Sequence, residues 1–261
     1  MIHPRRRARL YLELLLELAR RETRRRYKDT ILGWLWIILI PLLQSIVIAY
    51  FFVRLAGIDL SSSGAPYILL VLSGFTIWNY VSHTIGQAMS TLSDSRELVN
   101  TQPIPLTLLP LSGALVKTYD WLIEVAVFAL FVVILTGDLP TAFLLGIGPL
   151  AVSLIMFVSG LALLTALVGS FVRDAGHLVS LLLSIWFWLT PIFYPAERIA
   201  AHFTLINLNP LIHFLSAFRQ LGLEGVMDAD KLAKLFVCSA AFLVTSLLIY
   251  RRTAWRIYDR P

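Results

Sequence analysis

The stretch from Ile31 to Val53, ILGWLWIILIPLLQSIVIAYFFV, contains no Asp, Glu, Lys or Arg. A helix needs about 20 apolar residues to cross the hydrocarbon core of a bilayer, and this stretch is long enough to do so. Further charge-free runs extend from Leu60 to Ser93, from Leu139 to Val172 and from Ala175 to Ala196. The pattern predicts an all-α, polytopic integral membrane protein.

The composition supports the same class. Hydrophobic residues make up 58% of the 261 residues, charged residues make up 15%, and the mean hydropathy is +0.77. A soluble domain of this length needs more charge to cover its surface. Cys238 is the only cysteine, so no disulfide can form within the chain, and its apolar surroundings favour a buried, inert thiol. We expect the first span to direct insertion, because it is too long for a cleavable signal peptide.

Six transmembrane helices are predicted, at about 31–54, 66–90, 112–136, 142–171, 176–194 and 232–250. Cytoplasmic loops of membrane proteins are enriched in Lys and Arg. Placing both termini in the cytoplasm puts most of the 22 Lys and Arg there and leaves five outside: Arg54, Arg198, Arg219, Lys231 and Lys234. We therefore expect an N-in, C-in topology.

The segment from Ile199 to Phe218 carries no charge but contains Asn209 and Pro210. A seventh full crossing here would place the basic C-terminal tail outside. We interpret the segment as two short outer helices that enter the membrane part way and return, with a break at Asn209-Pro210. Non-helical backbone at that depth is tolerated where protein or water surrounds it, so this segment would lie beside a pathway.

The first 30 residues differ from the spans. They contain ten Lys and Arg against four acids, so their net charge of +6 equals that of the whole chain. An amphipathic helix on the cytoplasmic membrane surface is predicted from apolar residues at helical spacing: Leu10, Tyr11, Leu14, Leu15 and Leu18. Two interpretations of the charges stay open. They either set topology and attract anionic lipid alone, or also receive a phosphate-bearing substrate.

Several signatures of enzymes are absent from the sequence. It has no G-x-x-x-x-G-K-[ST] loop for ATP, no H-E-x-x-H metal pair and no G-x-S-x-G elbow. Binding of nucleic acid would fit the pI near 9.7, but the basic residues flank spans, so lipid is the simpler partner. We therefore expect a transport protein without a catalytic or metal site of its own.

Two acids, Asp120 and Glu124, are spaced i,i+4 in the third predicted span, with Lys117 and Trp121 nearby. An ionisable group inside a bilayer indicates function by default. One interpretation makes Glu124 the proton site of a proton-coupled carrier. The interpretation we favour places Asp120 at the cytoplasmic interface and gives Glu124 an internal partner that neutralises it.

Aromatic residues concentrate in two of the predicted spans. The second span contains Trp78 and Tyr80, and the outer end of the fifth contains Trp186, Phe187, Trp188, Phe193 and Tyr194. Such rings anchor helices at membrane interfaces. They also present flat area to sugar faces without a fixed hydrogen-bond register. An interfacial belt and the lining of a substrate path therefore remain equally open.

Two groups of motifs carry a resemblance. The run Arg26-Tyr27-Lys28-Asp29-Thr30-Ile31-Leu32-Gly33-Trp34-Leu35-Trp36, followed by Pro41, is similar to the start of the first span in ABC type-2 permeases that export polysaccharides such as O-antigen. The elements Leu189-Thr190-Pro191-Ile192-Phe193-Tyr194-Pro195, Asn209-Pro210-Leu211 and Ala217-Phe218-Arg219 resemble later motifs of that family. A weaker match, Asp94-Ser95-Arg96-Glu97-Leu98-Val99 with Pro103 and Pro105, lacks the basic pair and aromatic residue that the family often has there.

The resemblance implies a half-transporter. Residues 1–30 would form the interface helix and residues 31–261 the transmembrane domain. Two copies would pair as a homodimer, each resting on a separate ABC ATPase subunit that holds ATP and Mg²⁺. Residues 92–104 would form the coupling helix, with Asp94, Arg96 and Glu97 in contact with the ATPase, and residues 196–221 the re-entrant outer helices.

The resemblance also implies a substrate, a glycan on a polyprenyl pyrophosphate lipid of O-antigen, capsule or teichoic-acid type. It would enter from the cytoplasmic side of the inner membrane beside a basic stretch, namely Arg24, Arg25, Arg26, Tyr27 and Lys28. It would then pass the aromatic residues. Three alternatives are an ABC exporter of small amphiphiles or drugs, a membrane-embedded enzyme of glycan assembly, and a passive channel.

Overall fold

The computed structural model describes residues 4–27, 33–55, 66–95, 98, 101, 104–172, 174–194 and 208–254. Most of these residues are helical and none of them forms a β-strand, which confirms the all-α class. The helices are α1 (Pro4–Tyr27), α2 (Leu35–Tyr50), α3 (Tyr67–Asp94), α4 (Leu108–Thr136), α5 (Thr141–Phe171), α6 (Ala175–Leu189), α7 (Pro210–Arg219) and α8 (Ala229–Thr253). Two π-helical turns, Phe51–Leu55 and Gln220–Glu224, extend α2 and α7.

Five helices in the described part of the chain are long and apolar enough to cross a membrane: Leu35–Val53, α3, α4, α5 and α8. They overlap five of the six predicted spans, so the chain is a multi-pass membrane protein.

The remaining predicted span, 176–194, is shorter in the structure. The helix α6 has 15 residues and ends at Leu189. Thr190 is extended there, because the residue before a proline is disfavoured in helical geometry, and Pro191 has no N–H to continue the helix. A helix of this length measures about 22 Å against a hydrocarbon core of about 30 Å. A sixth crossing here would therefore need the non-helical residues that follow α6.

The central helix of the bundle is α3, and most of its residues are buried. It packs against both α4 and α5, and α8 packs along the length of α5. Gly169 on α5 lies so close to the carbonyl oxygen of Met89 on α3 that a Cβ at this position would collide with it. A glycine is therefore required where these two helices approach each other.

The helices α2 and α6 are peripheral. Pro41 and Ser45 are the buried residues of α2, and Ala175 is the buried residue of α6. The thiol of Cys238, on α8, is also exposed in this structure, so the prediction of a buried thiol is wrong. Lipid or a second protein surface must cover the apolar side chains that face outward on α2 and α6: Leu43, Ile46, Val47, Tyr50, Leu178, Leu181, Leu182 and Ile185.

Connecting segments meet at two opposite ends of the bundle. At the end that carries α1, Gln87 Nε2 donates to Glu22 Oε1 (3.1 Å), and Tyr250 Oη donates to the carbonyl oxygen of Leu106 (3.0 Å). The end that carries α7 also contains the first turns of α3, α5 and α8. We call these the α1 end and the α7 end.

The helix α1 is amphipathic, as predicted, but its apolar face divides into two. Tyr11, Leu15 and Leu18 are partly buried at i,i+3 and i,i+4 spacing, and Leu18 packs against a cluster that includes Leu92 and Leu109. Exposed leucines flank this stripe, Leu10 and Leu14 on one side and Leu12 and Leu16 on the other. One part of the face therefore docks on the bundle, and the other part is available to the membrane surface.

Candidate translocation surface

The turn that follows α6 is packed inside the protein, and its backbone carbonyls are bound by side chains. Tyr67 Oη donates to the carbonyl oxygen of Phe193 (2.8 Å). Arg219 donates to the carbonyl oxygens of Ile192 (2.9 Å) and Tyr194 (3.2 Å). A non-helical segment is tolerated at membrane depth when its polar backbone is satisfied in this way.

Arg219 also binds α3. Its Nε donates to Ser73 Oγ (3.0 Å) and its Nη2 donates to the carbonyl oxygen of Leu70 (3.1 Å), while only 8% of its surface is exposed. One guanidinium thus connects α7, α3 and the turn after α6. From the sequence, Arg219 is an outer basic residue and the last residue of the A-F-R motif, but neither feature specifies these contacts.

Asn209 connects α6 to α7. Its Oδ1 accepts from Trp186 Nε1 (2.9 Å) and from the backbone N–H of Leu211 (3.0 Å), which caps α7 ahead of Pro210. Its Nδ2 donates to Thr190 Oγ1 (3.1 Å). A helix therefore begins at the predicted break, whereas the first of the two predicted outer helices falls on residues 195–207, outside the described residues.

The rings of α3, α6 and the following turn form one aromatic cluster. Ring centroids are 5.3 Å apart for Trp78 and Phe187, 5.3 Å for Phe187 and Phe193, and 6.1 Å for Trp78 and Trp186. Gly74 allows the turn to approach α3, because a Cβ there would lie 2.7 Å from Ile192 Cγ2. The structure thus brings together most of the predicted path residues.

An open cavity of about 330 Å³ lies between α3 and α6 beside these rings. We call it the aromatic groove, and it is lined by Trp78, Ser82, Leu183, Ser184, Phe187 and Trp188. Trp188 is 69% exposed, whereas Trp78 is buried and Trp186, Phe187 and Tyr194 are partly buried. Ring faces next to hydroxyl groups suit the mixed apolar and polar surface of a sugar.

Tyr80 lies apart from the aromatic groove. It follows Trp78 by two residues and therefore projects from a different side of α3. It is 3% exposed, stacks on Trp121 with a centroid distance of 5.3 Å, and shares a hydrogen bond of 2.8 Å with Thr118 Oγ1. The contacts of Tyr80 fix α3 against α4, on a different side of α3 from the aromatic groove.

The residues predicted for substrate uptake and ATPase contact lie at the α1 end where the structure describes them. Asp94 is the exposed last residue of α3, and Arg24 is exposed on α1. A cavity of about 330 Å³, here called the basic cavity, is lined by Leu14, Glu17, Leu18, Arg20, Arg21, Arg24, Leu98 and Ile104. Arg96, Glu97 and Lys28, and the side chains of Arg25, Arg26 and Tyr27, lie outside the described residues.

The two intramembrane acids lie near the middle of α4 and are buried. Lys117 Nζ lies 3.6 Å from Asp120 Oδ2. Glu124 Oε2 is buried and has no hydrogen-bond partner within the described residues. The nearby base, Lys117, pairs with Asp120, and the expected internal partner of Glu124 is not found among the described residues.

Apolar spans, together with non-helical backbone buried at one end, define a multi-pass membrane protein. Residues 13–223 match the ABC-2 type transporter family, and the chain belongs to this family. An O-antigen export system permease protein RfbA of Klebsiella pneumoniae is 22% identical over 248 residues, which cover 95% of this chain and 94% of that protein. A Myxococcus xanthus protein of the same description is 27% identical over 244 residues, which cover 92% of each chain.

Proposed function

We propose that this chain is the transmembrane subunit of an ATP-driven exporter that moves a lipid-linked polysaccharide across the inner, cytoplasmic membrane. One observation carries the proposal. Relatives that match more than nine-tenths of the chain, within the ABC-2 type transporter family, are described as O-antigen export system permeases. The aromatic groove supports a sugar-bearing substrate, because its rings and hydroxyl groups offer sugar contacts along α3 and α6.

The proposed topology has six crossings with both termini in the cytoplasm. Five crossings are the long apolar helices, and α6 with its following turn is the sixth. The α1 end would then face the cytoplasm, which agrees with the excess of Lys and Arg in α1. The α7 end would face outward, with α7 as the second re-entrant helix.

The proposed assembly is a homodimer on two ABC ATPase subunits, which bind ATP and Mg²⁺. The peripheral position of α2 and α6 supports pairing, since no described residue covers their apolar outer faces. The ATPase would dock at the α1 end, where Asp94 is exposed and the segment containing Arg96 and Glu97 begins.

The proposed path begins at the basic cavity. Its three arginines, Arg20, Arg21 and Arg24, suit the pyrophosphate of a lipid carrier, and its leucines suit the adjoining lipid chain. The glycan would then pass the aromatic groove toward the α7 end. In this scheme no covalent bond of the substrate changes, and the energy comes from the ATPase.

The test is to purify this chain with its ATPase, reconstitute the complex in vesicles, and measure ATP hydrolysis with and without lipid-linked glycan. We expect the glycan to stimulate hydrolysis. A variant with Asp94→Lys and Glu97→Lys should lose the ATPase during purification, whereas Asp138→Lys, a matched reversal at the α7 end, should retain it. Stimulation by small amphiphiles alone would contradict the proposed substrate. Sugar transfer by the purified chain would contradict the proposed class.

A further inference from the structure

A second cavity, of about 260 Å³, lies between α2, α3 and α4 and shares no lining residue with the aromatic groove. One wall is a single face of α2 and of the turn before it, formed by Gly33, Trp36, Ile37, Ile40 and Pro41. The other wall is polar and consists of Asn79, His83, Lys117, Asp120 and Glu124. We call it the α2–α4 pocket.

Among the described residues that line this pocket, one acid has no ion-pair partner. Lys117 and Asp120 form an ion pair with an N–O distance of 3.6 Å. His83 faces the pocket from α3, and α2 contributes no ionisable group. Glu124 is the acid that remains. It is 7% exposed, and its Oε2 atom has no hydrogen-bond partner in the part of the chain that the structure describes.

Burial of a carboxylate without a positive partner is strongly unfavourable, so either a proton or a bound cation must neutralise Glu124. A metal ion is disfavoured, because the described residues contain no group of three or more His, Cys, Asp and Glu placed to hold one. Asn79 Nδ2 donates to Gln44 Oε1 (3.4 Å), which leaves the amide oxygen of Asn79 as a further acceptor at the pocket. The pocket therefore offers a carboxylate and an amide oxygen from one wall and the ring of Trp36 from the other.

This set of groups matches the chemistry of an ammonium ion. An –NH₃⁺ group has three donors and no acceptor, so it can bind a carboxylate and an amide oxygen at once. An indole ring adds a cation–π contact. Lys117 beside Asp120 shows that the pocket already accommodates one such group. Trp36 and Ile40 are exposed on the outer side, where lipid can reach the wall formed by α2.

We propose that the α2–α4 pocket binds a primary ammonium group at the membrane, carried by the ethanolamine headgroup of a phospholipid or by a free amine. The ammonium group donates to Glu124 and Asn79, and its charge balances that of Glu124. Ile37 and Ile40 contact the apolar part of the ligand. This site does not depend on which substrate the protein exports.

The test uses the full chain in complex with its ATPase, purified in detergent, and native mass spectrometry to measure lipid retention. The probes are short-chain phosphatidylethanolamine and phosphatidylcholine of equal chain length, since choline has no N–H donor. We expect the wild type to bind phosphatidylethanolamine at least tenfold more tightly. Glu124→Gln should reduce the difference between the two lipids to within about twofold, because it removes the charge and keeps the shape.

Glu224→Gln is the matched control, because Glu224 is an exposed acid at the α7 end, and it should keep the preference. Ile40→Trp fills the pocket wall without changing Glu124, so it should weaken binding of phosphatidylethanolamine even if Glu124→Gln does not fold. Competition by free ethanolamine would support the site with a soluble amine as its ligand, and failure to compete would assign the lipid. Equal binding of both lipids by the wild type, or a preference unchanged by Glu124→Gln, would overturn the proposal and leave a proton as the charge that neutralises Glu124.

Discussion

Arg219 explains at the scale of single residues why three separate sequence motifs occur together. The turn Ile192-Phe193-Tyr194 exposes carbonyl oxygens that no helix can satisfy, and Arg219 binds those of Ile192 and Tyr194. Asn209 holds the start of α7 against the end of α6, which brings Arg219 within reach of the turn. The motifs are distant in sequence, but each supplies a hydrogen-bonding group to one small region at the α7 end.

This arrangement predicts a large effect for Arg219→Met, which keeps an unbranched, flexible side chain but removes every donor. The carbonyl oxygens of Leu70, Ile192 and Tyr194 would lose a charged partner, and buried hydrogen bonds to charged groups each contribute about 1.5–3 kcal/mol. We expect the free energy of unfolding to fall by at least about 2 kcal/mol. The measurement is the melting temperature of the detergent-solubilised protein, obtained by heating samples and using size-exclusion chromatography to quantify the protein that stays folded.

The control for this prediction is Arg252→Met. Arg252 is exposed in the last turn of α8, so its loss should leave the melting temperature nearly unchanged. Equal melting temperatures for the two variants would show that the hydrogen bonds of Arg219 contribute little to the fold.

At the scale of helices, the sequence was informative wherever apolar runs are long and uninterrupted. The α3 and α5 spans were predicted closely, because helix length and hydrophobicity alone determine a crossing. The predicted span 176–194 extends past the end of α6, because apolar residues continue after Leu189 and the prediction did not account for the helix-ending effect of Pro191. Hydrophobicity does not distinguish a helix from an apolar turn that is packed inside protein.

The aromatic residues show a second limit of sequence reasoning. Trp78 and Tyr80 are both aromatic residues of the second predicted span, yet Trp78 lines the aromatic groove and Tyr80 stacks on Trp121. Which face of α3 meets which neighbour depends on tertiary packing. The same holds for the ion pair between Lys117 and Asp120, which the sequence did not specify. Residue types near the site could be predicted from the sequence, whereas their pairing could not.

The pairing of α3 with α6 makes Trp188 the residue to test in the aromatic groove. Its ring contacts Phe187 and Phe193 at 5.5 and 6.0 Å but remains 69% exposed, so its removal should leave the fold intact. An aromatic stacking contact contributes about 0.5–1.5 kcal/mol. We therefore expect Trp188→Ala to reduce the stimulation of ATP hydrolysis by lipid-linked glycan several-fold in reconstituted vesicles.

Two matched variants separate this effect from a general loss of aromatic surface. Trp188→Phe keeps a ring and should retain most of the stimulation. Trp34→Ala removes another exposed tryptophan, 60% accessible, in the turn that precedes α2 and outside the lining of the groove, and should behave as the wild type. Full stimulation in Trp188→Ala would remove the groove from the substrate path.

At the scale of the whole molecule, the two ends of the bundle carry different chemistry. The α1 end combines basic residues, the basic cavity and the start of the 95–104 segment. The α7 end combines a satisfied non-helical turn, α7 and few basic side chains. If the α1 end faces the cytoplasm, its basic residues suit uptake of an anionic lipid carrier and contact with an ATPase. The α7 end then suits release of the substrate.

That orientation can be tested by labelling single cysteines, because Cys238 is the only cysteine and Cys238→Ser gives a cysteine-free background. Asp138→Cys and Glu224→Cys lie exposed at the α7 end, and Asp174→Cys lies exposed between α5 and α6 at the α1 end. The Lys and Arg bias predicts that an impermeant maleimide added to intact cells, or to spheroplasts where an outer membrane blocks access, labels positions 138 and 224. Position 174 should react only after the membrane is opened. Labelling of position 174 from outside, with 138 and 224 protected, would reverse the topology and would move both the proposed ATPase contact and the proposed uptake site to the α7 end.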